Sequence, residues 1–314
     1  MVRVIGFVVG LGFVGVLLIS FFVNVSDYFS TPVEPTAEHE FHEHPRPLAL
    51  ASDGPLGKFD ERQLQRGFQV YAEVCAACHG LNLVAFRNLA DLGYNEAEIK
   101  KIAADWKIQV PSVNPDTGEV AARKAVPADT FPSPFPNEIA ARAANNNAYP
   151  PDLSLITKAR EGGAAYTYSL LTGYRNPVGY KNEQGHELLK EFPAARPGPG
   201  LHFNPYFANL NIAMPPPLTT NGQVSYADGT PATVDQMAKD VSAFLVWTAE
   251  PNLARRHASG FAVVIFLLFA TVLGYFAYRE LWSSAKRQVR VAGPLEAKNQ
   301  AKSRSAKAKS GIEG

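Results

Sequence analysis

The chain has 314 residues, 46% of them hydrophobic, with 30 Lys and Arg against 29 Asp and Glu and a net charge of +1. That balance is ordinary for a globular protein. Two cysteines, Cys75 and Cys78, are too few for a disulfide framework. No internal repeat, Gly-rich phosphate loop or sustained heptad is present, so nucleotide and nucleic-acid binding have no motif to rest on.

In chain order, residues 4–26 carry no charged side chain and are long enough to cross about 30 Å of hydrocarbon as a helix. Residues 1–26 are therefore an N-terminal transmembrane anchor or a signal segment. The length of the run favours retention, because a signal core is usually shorter and no small-residue cleavage pattern follows directly. Gly6 and Gly10 form a weak G-x-x-x-G packing signal within it. Residues 27–57 are rich in Pro, Glu and His, show no apolar period, and are predicted to be a linker or an extended arm on the domain surface. His39, His42 and His44 in that arm, among Glu38, Glu40 and Glu43, are read as solvated, with metal binding as the less favoured alternative.

A folded domain is expected over 58–252. It opens with the capping-box pattern Asp60-Glu61-Arg62-Gln63, after which Leu64, Phe68 and Tyr71 recur at helical spacing up to Cys75. It closes with a second such pattern, Thr233-Val234-Asp235-Gln236, opening a helix whose apolar face is Val234, Met237, Val241, Phe244, Leu245 and Thr248. Many Pro and Gly residues lie between them, which predicts long loops around an extra apolar core. Residues 253–281 hold a second charge-free run, 258–278, and form a C-terminal anchor. The tail 282–314 is basic: from Arg279 onward 9 Lys and Arg face 3 Asp and Glu, so the rest of the chain carries a net charge of −5. The positive-inside tendency puts that tail in the cytoplasm and residues 27–257 on the other side.

Cys75-Ala76-Ala77-Cys78-His79 is the haem-attachment pattern C-x-x-C-H. Two thiols at this spacing reach the two vinyl groups, and the following imidazole sits under the iron. A zinc site would need further ligands at matching spacing, and a thioredoxin-like pair would need alternating strands and helices. For the sixth iron ligand three readings stand. Met214 lies in Ile212-Ala213-Met214-Pro215-Pro216-Pro217, where prolines stiffen the loop and remove its N–H donors. Met237 sits on an apolar helix face, where core packing is the common role. The third reading is a His or no protein ligand.

These residues resemble the cytochrome c1 family, the haem subunit of the ubiquinol:cytochrome c oxidoreductase complex. The resemblance is carried by residues 75–79, Ala140 to Asn146, Pro150-Pro151-Asp152-Leu153-Ser154, Tyr166 to Tyr174, Phe203-Asn204-Pro205-Tyr206-Phe207, Ile212 to Pro217, and Tyr226 to Thr233. It implies a mainly α fold: a class I-like c-type cytochrome domain with long loop insertions and a C-terminal transmembrane helix; the N-terminal transmembrane helix rests on the length of the first apolar run and departs from the family, whose members usually lose their presequence. It implies one covalent haem c with His79 and Met214 as axial ligands, Arg142 on a haem propionate, and Pro150, Pro151, Tyr206 and Ile212 lining the haem. Electrons would pass from a Rieske iron-sulfur protein to cytochrome c, beside a cytochrome b subunit, in a dimeric complex. The expected place is a bacterial inner membrane with the haem domain periplasmic. The alternative function is a stand-alone tethered shuttle or oxidase subunit. Two further departures stand out: no extra disulfide is available, and Asn147 stands where the family pattern suggests Gly, a substitution Asn tolerates because it enters the left-handed region more readily than most residues.

Overall fold

The computed structural model describes residues 2–30, 35–292 and 301. The chain divides into two compact units, one built from residues up to 49 and 61–249, the other from 50–60 and from 250 onward.

In the first unit, α1 (Val2–Ser30) is an uninterrupted helix with every side chain exposed except for two of intermediate exposure. At 1.5 Å per residue its 29 residues reach roughly 43 Å. Such an unpartnered apolar cylinder is stable only in a lipid surrounding or against other helices. The span runs past residue 26 to Ser30, so the first part of the predicted arm is helical.

The arm itself is a correction to the sequence reading. It contains α2 (Ala37–Phe41), capped by Thr36, whose hydroxyl accepts from His39 N at 3.2 Å. Ala37 and Phe41 are buried with Leu188, Phe203 and Leu210, and Tyr180 and Phe192 pack around them. Two apolar residues on one turn are too few to register as a period, which is why the segment reads as solvated. Its next residues are tied down as well: Glu43 N donates to Pro205 O at 2.9 Å, and Arg46 N donates to Ser169 Oγ at 2.8 Å.

The centre of the unit is the crossing of α3 (Glu61–Glu73) with α9 (Val234–Ala249). Thr233 Oγ1 accepts from Gln236 N at 3.0 Å, as its pattern predicts. Leu64, Phe68 and Tyr71 of α3 are buried, as are Met237, Val241, Phe244, Leu245 and Trp247 of α9. The helices approach so closely at Gly67 that a Cβ there would lie 2.1 Å from Asp240 O, which only glycine permits. Phe68, Tyr71, Phe86, Trp106 and Phe131 add an aromatic layer with edge-to-face contacts, worth about 0.5–1.5 kcal/mol per pair beyond area burial. Beside the crossing, Asp240 is fully buried and accepts from Arg66, Gln63 and Gln236. The remaining Arg66 donor reaches Asp228 at 2.7 Å.

The connections between these helices are irregular, as the prolines predict. They hold β1 (Leu81–Ala85), α4 (Glu96–Ala104), β2 (Val110–Val113), β3 (Val120–Arg123), β4 (Thr130–Phe131), α5 (Glu138–Ala144), α6 (Ile156–Ala159), α7 (Gly163–Thr172), α8 (Leu188–Glu191), β5 (His202–Phe203) and β6 (Asn211–Ile212). The strands form three two-stranded antiparallel ladders, β1 with β4, β2 with β3 and β5 with β6. Both α6 and α7 pack on α9, so this one helix supports the segments that flank the candidate site.

The second unit consists of the loop 50–60 and α10 (Leu253–Ala292), joined where His257 Nδ1 lies 3.1 Å from Gly57 O. Residues 253–283 are long and apolar enough to cross a membrane. The helix continues to Ala292, beyond the predicted boundary at 281; the rest of the basic tail, residue 301 apart, falls outside the described residues.

Candidate functional site

The site is built in two halves. The first begins where α3 ends. Its last turn runs into a 3₁₀ turn over Cys75–Ala77, in which Cys78 N and His79 N both donate to Cys75 O, at 3.1 and 2.9 Å. That turn presents both sulfurs and the imidazole from one short loop. Both thiols are free, Cys75 half-buried and Cys78 exposed. Burial, and secondarily the neighbouring Cys78, pushes the Cys75 thiol up to about 12, so it stays protonated until it reacts.

His79 is oriented by the segment Pro150 to Ser154. Its Nδ1 lies 2.7 Å from Pro151 O. A carbonyl only accepts, so Nδ1 carries the proton and Nε2 is left with a free lone pair. Burial keeps the imidazole below its usual pKa, against the Pro151 bond and the Asp152 charge, which act in the other direction. A neutral ring with a free Nε2 is the state an iron ligand requires. The orienting segment is itself strapped down: Asp152 accepts from Asn82 N at 2.7 Å and from Ser154 N at 2.9 Å, Ser154 Oγ accepts from Leu83 N at 3.1 Å, and Leu153 N donates to Gly80 O at 2.9 Å. The Tyr71 hydroxyl donates to His79 O at 3.0 Å.

The second half surrounds Met214. Ile212 ends β6 and pairs with His202 of β5. The buried Asn204 ties that hairpin to α7 through Leu170 O at 2.8 Å and holds Tyr206 N at 3.1 Å. Tyr206 packs so tightly on Gly173 that a Cβ there would lie 2.4 Å from its ring. Tyr174, next in the chain, donates to Met214 O at 3.0 Å. Met214 is half-buried, whereas Met237 is fully buried in α9 and belongs to the core. The hydrogen bonds therefore gather Cys75, Cys78, His79 and Pro151 in one group, and Tyr206, Ile212 and Met214 in another, both braced on α9.

Arg142, on α5, is occupied. It pairs with Glu138 at 2.6 Å and donates to Asn147 O at 3.0 Å. That second bond depends on the turn after α5, where Asn146 and Asn147 have φ of 51° and 63°; the departure from Gly at 147 is accommodated in the left-handed region. Pro150 is half-buried and Pro151 exposed. Sequence reasoning missed Tyr174, Asp152 and Ser154 as positioning groups, although all three lie inside motifs it singled out. It also passed over Arg160, which lies beside the Tyr166 hydroxyl and, among the described residues, makes no ion pair. One arginine among 30 basic residues gives no sequence signal of its own.

The donor set fits a covalently attached haem: two free thiols, an imidazole with Nε2 released by a bond on Nδ1, and a thioether on a proline-stiffened loop. Residues beside the segments that brace these donors leave apolar surface uncovered, with Tyr149 51%, Leu155 46% and Leu201 36% exposed. The Cytochrome C1 family profile matches residues 50–285. The chain is 45% identical over 240 residues to cytochrome c1 of Rhodospirillum rubrum, covering 74% of this chain and 85% of that protein. It is 44% identical over 252 residues to the mitochondrial heme protein cytochrome c1-2 of Solanum tuberosum, covering 80% and 89%. It is also 46% identical over 244 residues to cytochrome b/c1 of Bradyrhizobium diazoefficiens, covering 74% of this chain but spanning only 34% of that longer protein.

Proposed function

The chain belongs to the cytochrome c1 family, and from that premise we propose that it is the haem-bearing electron-transfer subunit of a quinol:cytochrome c oxidoreductase, the cytochrome bc1 complex. The observation that carries the reading is the attachment loop, in which two free thiols precede an imidazole whose Nδ1 is bound to Pro151 O and whose Nε2 is free. Haem c, when bound, supplies reversible one-electron chemistry between a Rieske iron-sulfur protein as donor and cytochrome c as acceptor.

The chain's own residues have four tasks. Cys75 and Cys78 hold the macrocycle by thioether bonds. His79 and Met214 would hold the iron, and a thioether ligand would raise the potential and exclude small molecules. Pro150, Pro151, Tyr206 and Ile212 line the haem and exclude water. A propionate takes a guanidinium fork; Arg142 is the partner by family resemblance, and Arg160 is a second candidate because it has no carboxylate to leave. Arg142→Gln and Arg160→Gln separate them, since loss of the true partner leaves the propionate charge uncompensated and lowers the potential; a spectroelectrochemical titration reads which variant moves.

Residues 1–26 are assigned as a retained anchor, 27–57 as a linker arm, 58–252 as the haem domain, 253–281 as the second anchor and 282–314 as the cytoplasmic tail. The haem domain then faces the periplasm from a bacterial inner membrane, a reading supported by the charge asymmetry and by bacterial relatives. A cytochrome b subunit is the expected neighbour in a dimeric complex, consistent with a relative whose name joins the two cytochromes. The net charge of −5 outside the tail suits a basic acceptor, so electron transfer to it slows as salt is added.

The experiment is purification of the full chain from its own membranes in mild detergent. Covalent haem with a Met-ligand spectrum and copurifying b-type haem supports the subunit reading. Covalent haem without b-type haem returns the chain to a stand-alone tethered shuttle.

A further inference from the structure

The His- and Glu-rich segment around α2 has no part in the electron-transfer reading, yet it is folded onto the body, and one of its carboxylates meets two ligand-bearing groups from elsewhere in the chain. Glu40 Oε2 lies 3.6 Å from His186 Nδ1, and His186 Nδ1 lies 3.4 Å from Glu191 Oε2. All three atoms fall within 4.8 Å of one another. These separations are too long for hydrogen bonds, which close at about 2.7–3.2 Å. They match the edge of a tetrahedral cation site, where bonds of about 2.0–2.2 Å put neighbouring ligand atoms roughly 3.3–3.6 Å apart. Glu40 Oε2 is also shut away from solvent with no hydrogen-bond partner, a costly position for a carboxylate oxygen unless something else neutralises it.

The three ligands come from three anchored segments. Glu40 is on α2, held by Ala37 and Phe41 in the apolar cluster that also contains Leu188. Glu191 ends α8, the short helix begun by that Leu188. His186 lies between them in a turn closed by Asn182, whose Oδ1 accepts from His186 N at 2.9 Å and whose Nδ2 donates to Glu40 O at 3.4 Å. One asparagine side chain therefore bridges the backbones of two of the three ligands, the kind of outer support that metal ligands need.

We propose that Glu40, His186 and Glu191 form a surface site for a divalent transition cation of the zinc class, with solvent completing the coordination. One imidazole and two carboxylates suit such an ion. Bound there, the cation cross-links the α2 segment to the loop 182–191. The site shares no residue with the proposed haem set and uses none of His39, His42 or His44.

The test uses the haem-loaded full chain in detergent, stripped of adventitious metal and titrated with Zn²⁺ against a chromophoric chelator, with thermal unfolding measured in parallel. The expected result is one site whose affinity falls at least tenfold in His186→Ala and in Glu40→Gln, and a zinc-dependent rise in unfolding temperature that both variants lose. A triple variant with His39, His42 and His44 replaced by Ala keeps both effects. Unchanged zinc affinity in His186→Ala and Glu40→Gln, with unaltered haem spectra showing that they fold, overturns the proposal. Loss of binding only in the triple variant also overturns it, and moves the ion to the exposed imidazoles.

Discussion

The two halves of the candidate site solve the same problem by different means. His79 is fixed by hydrogen bonds at the ring and at the backbone on either side, and the segment that accepts from the ring is strapped to Asn82, Leu83 and Gly80. Met214 has one bond, from Tyr174 to its carbonyl, and otherwise relies on the stiffness of Pro215, Pro216 and Pro217. The contrast follows from the atoms. An imidazole has a second nitrogen that must be bound to set the tautomer and aim the lone pair. A thioether has no donor and a weak acceptor, so only the backbone and packing can aim it. Hydrogen bonding therefore aims the side chain in one half, and loop rigidity aims it in the other.

The widest separation between the halves is expected from replacing the ligands. His79→Leu removes the ligand and leaves Pro151 O without its partner, and little holo-protein should accumulate. Met214→Leu leaves the attachment loop intact, so covalent haem is retained in full. Its potential should fall by roughly 0.2 V, a fraction of the range of about 0.8 V that axial ligands span. Pyridine haemochrome assay and redox titration measure the two effects. Equal loss of haem in both variants would show that Met214 shapes the fold of its half instead of tuning a bound cofactor.

A smaller and sharper comparison uses the two tyrosines. Tyr71→Phe and Tyr174→Phe each remove one bond to a backbone carbonyl, and each should cost about 1 kcal/mol of stability. Only Tyr174→Phe should speed the displacement of Met214 by added imidazole, because only that bond restrains the thioether loop. Stopped-flow ligand binding to the oxidised protein distinguishes them. Equal displacement rates would mean that the prolines alone hold the loop.

How much of this was legible in the sequence follows the same division. The attachment motif and the helices on either side of the long insertion were readable, because C-x-x-C-H is fixed by the chemistry of the haem and because α3 and α9 bury enough periodic apolar residues to show. The Met214 loop was readable through its prolines. The braces were not: Asp152 and Ser154 work through backbone N–H groups 70 and 71 residues away, and Tyr174 through a carbonyl 40 residues away. A partner that is a backbone group has no residue identity to find. The α2 segment was misread for a related reason, since Phe41 and Ala37 are buried by residues 150 or so positions later and not by neighbours in a period.

The smallest effect concerns the crossing that carries both halves. Arg66 bridges the buried Asp240 and the exposed Asp228, so part of the restraint on α3 depends on a group open to solvent. The Thr230 backbone N–H, and after it the Arg66 guanidinium, hold Asp228 down at about 2, against an ordinary carboxylate value of 3.8. A depressed folded-state pKa contributes stability that is complete above the unfolded value and disappears as protonation proceeds downward. The Asp228 contribution is therefore whole above about pH 5 and fades between pH 4 and pH 2. Asn at this position keeps an oxygen for Thr230 N and removes the charge and the oxygen that accepts from Arg66. Asp228→Asn should thus lower stability slightly at neutral pH and flatten the acid limb in that window, measured as unfolding temperature against pH, with both proteins converging near pH 2. A curve for the variant that stays parallel to the parent down to pH 2 would mean that the solvent-exposed arm of the Arg66 bridge has no share in holding the two helices.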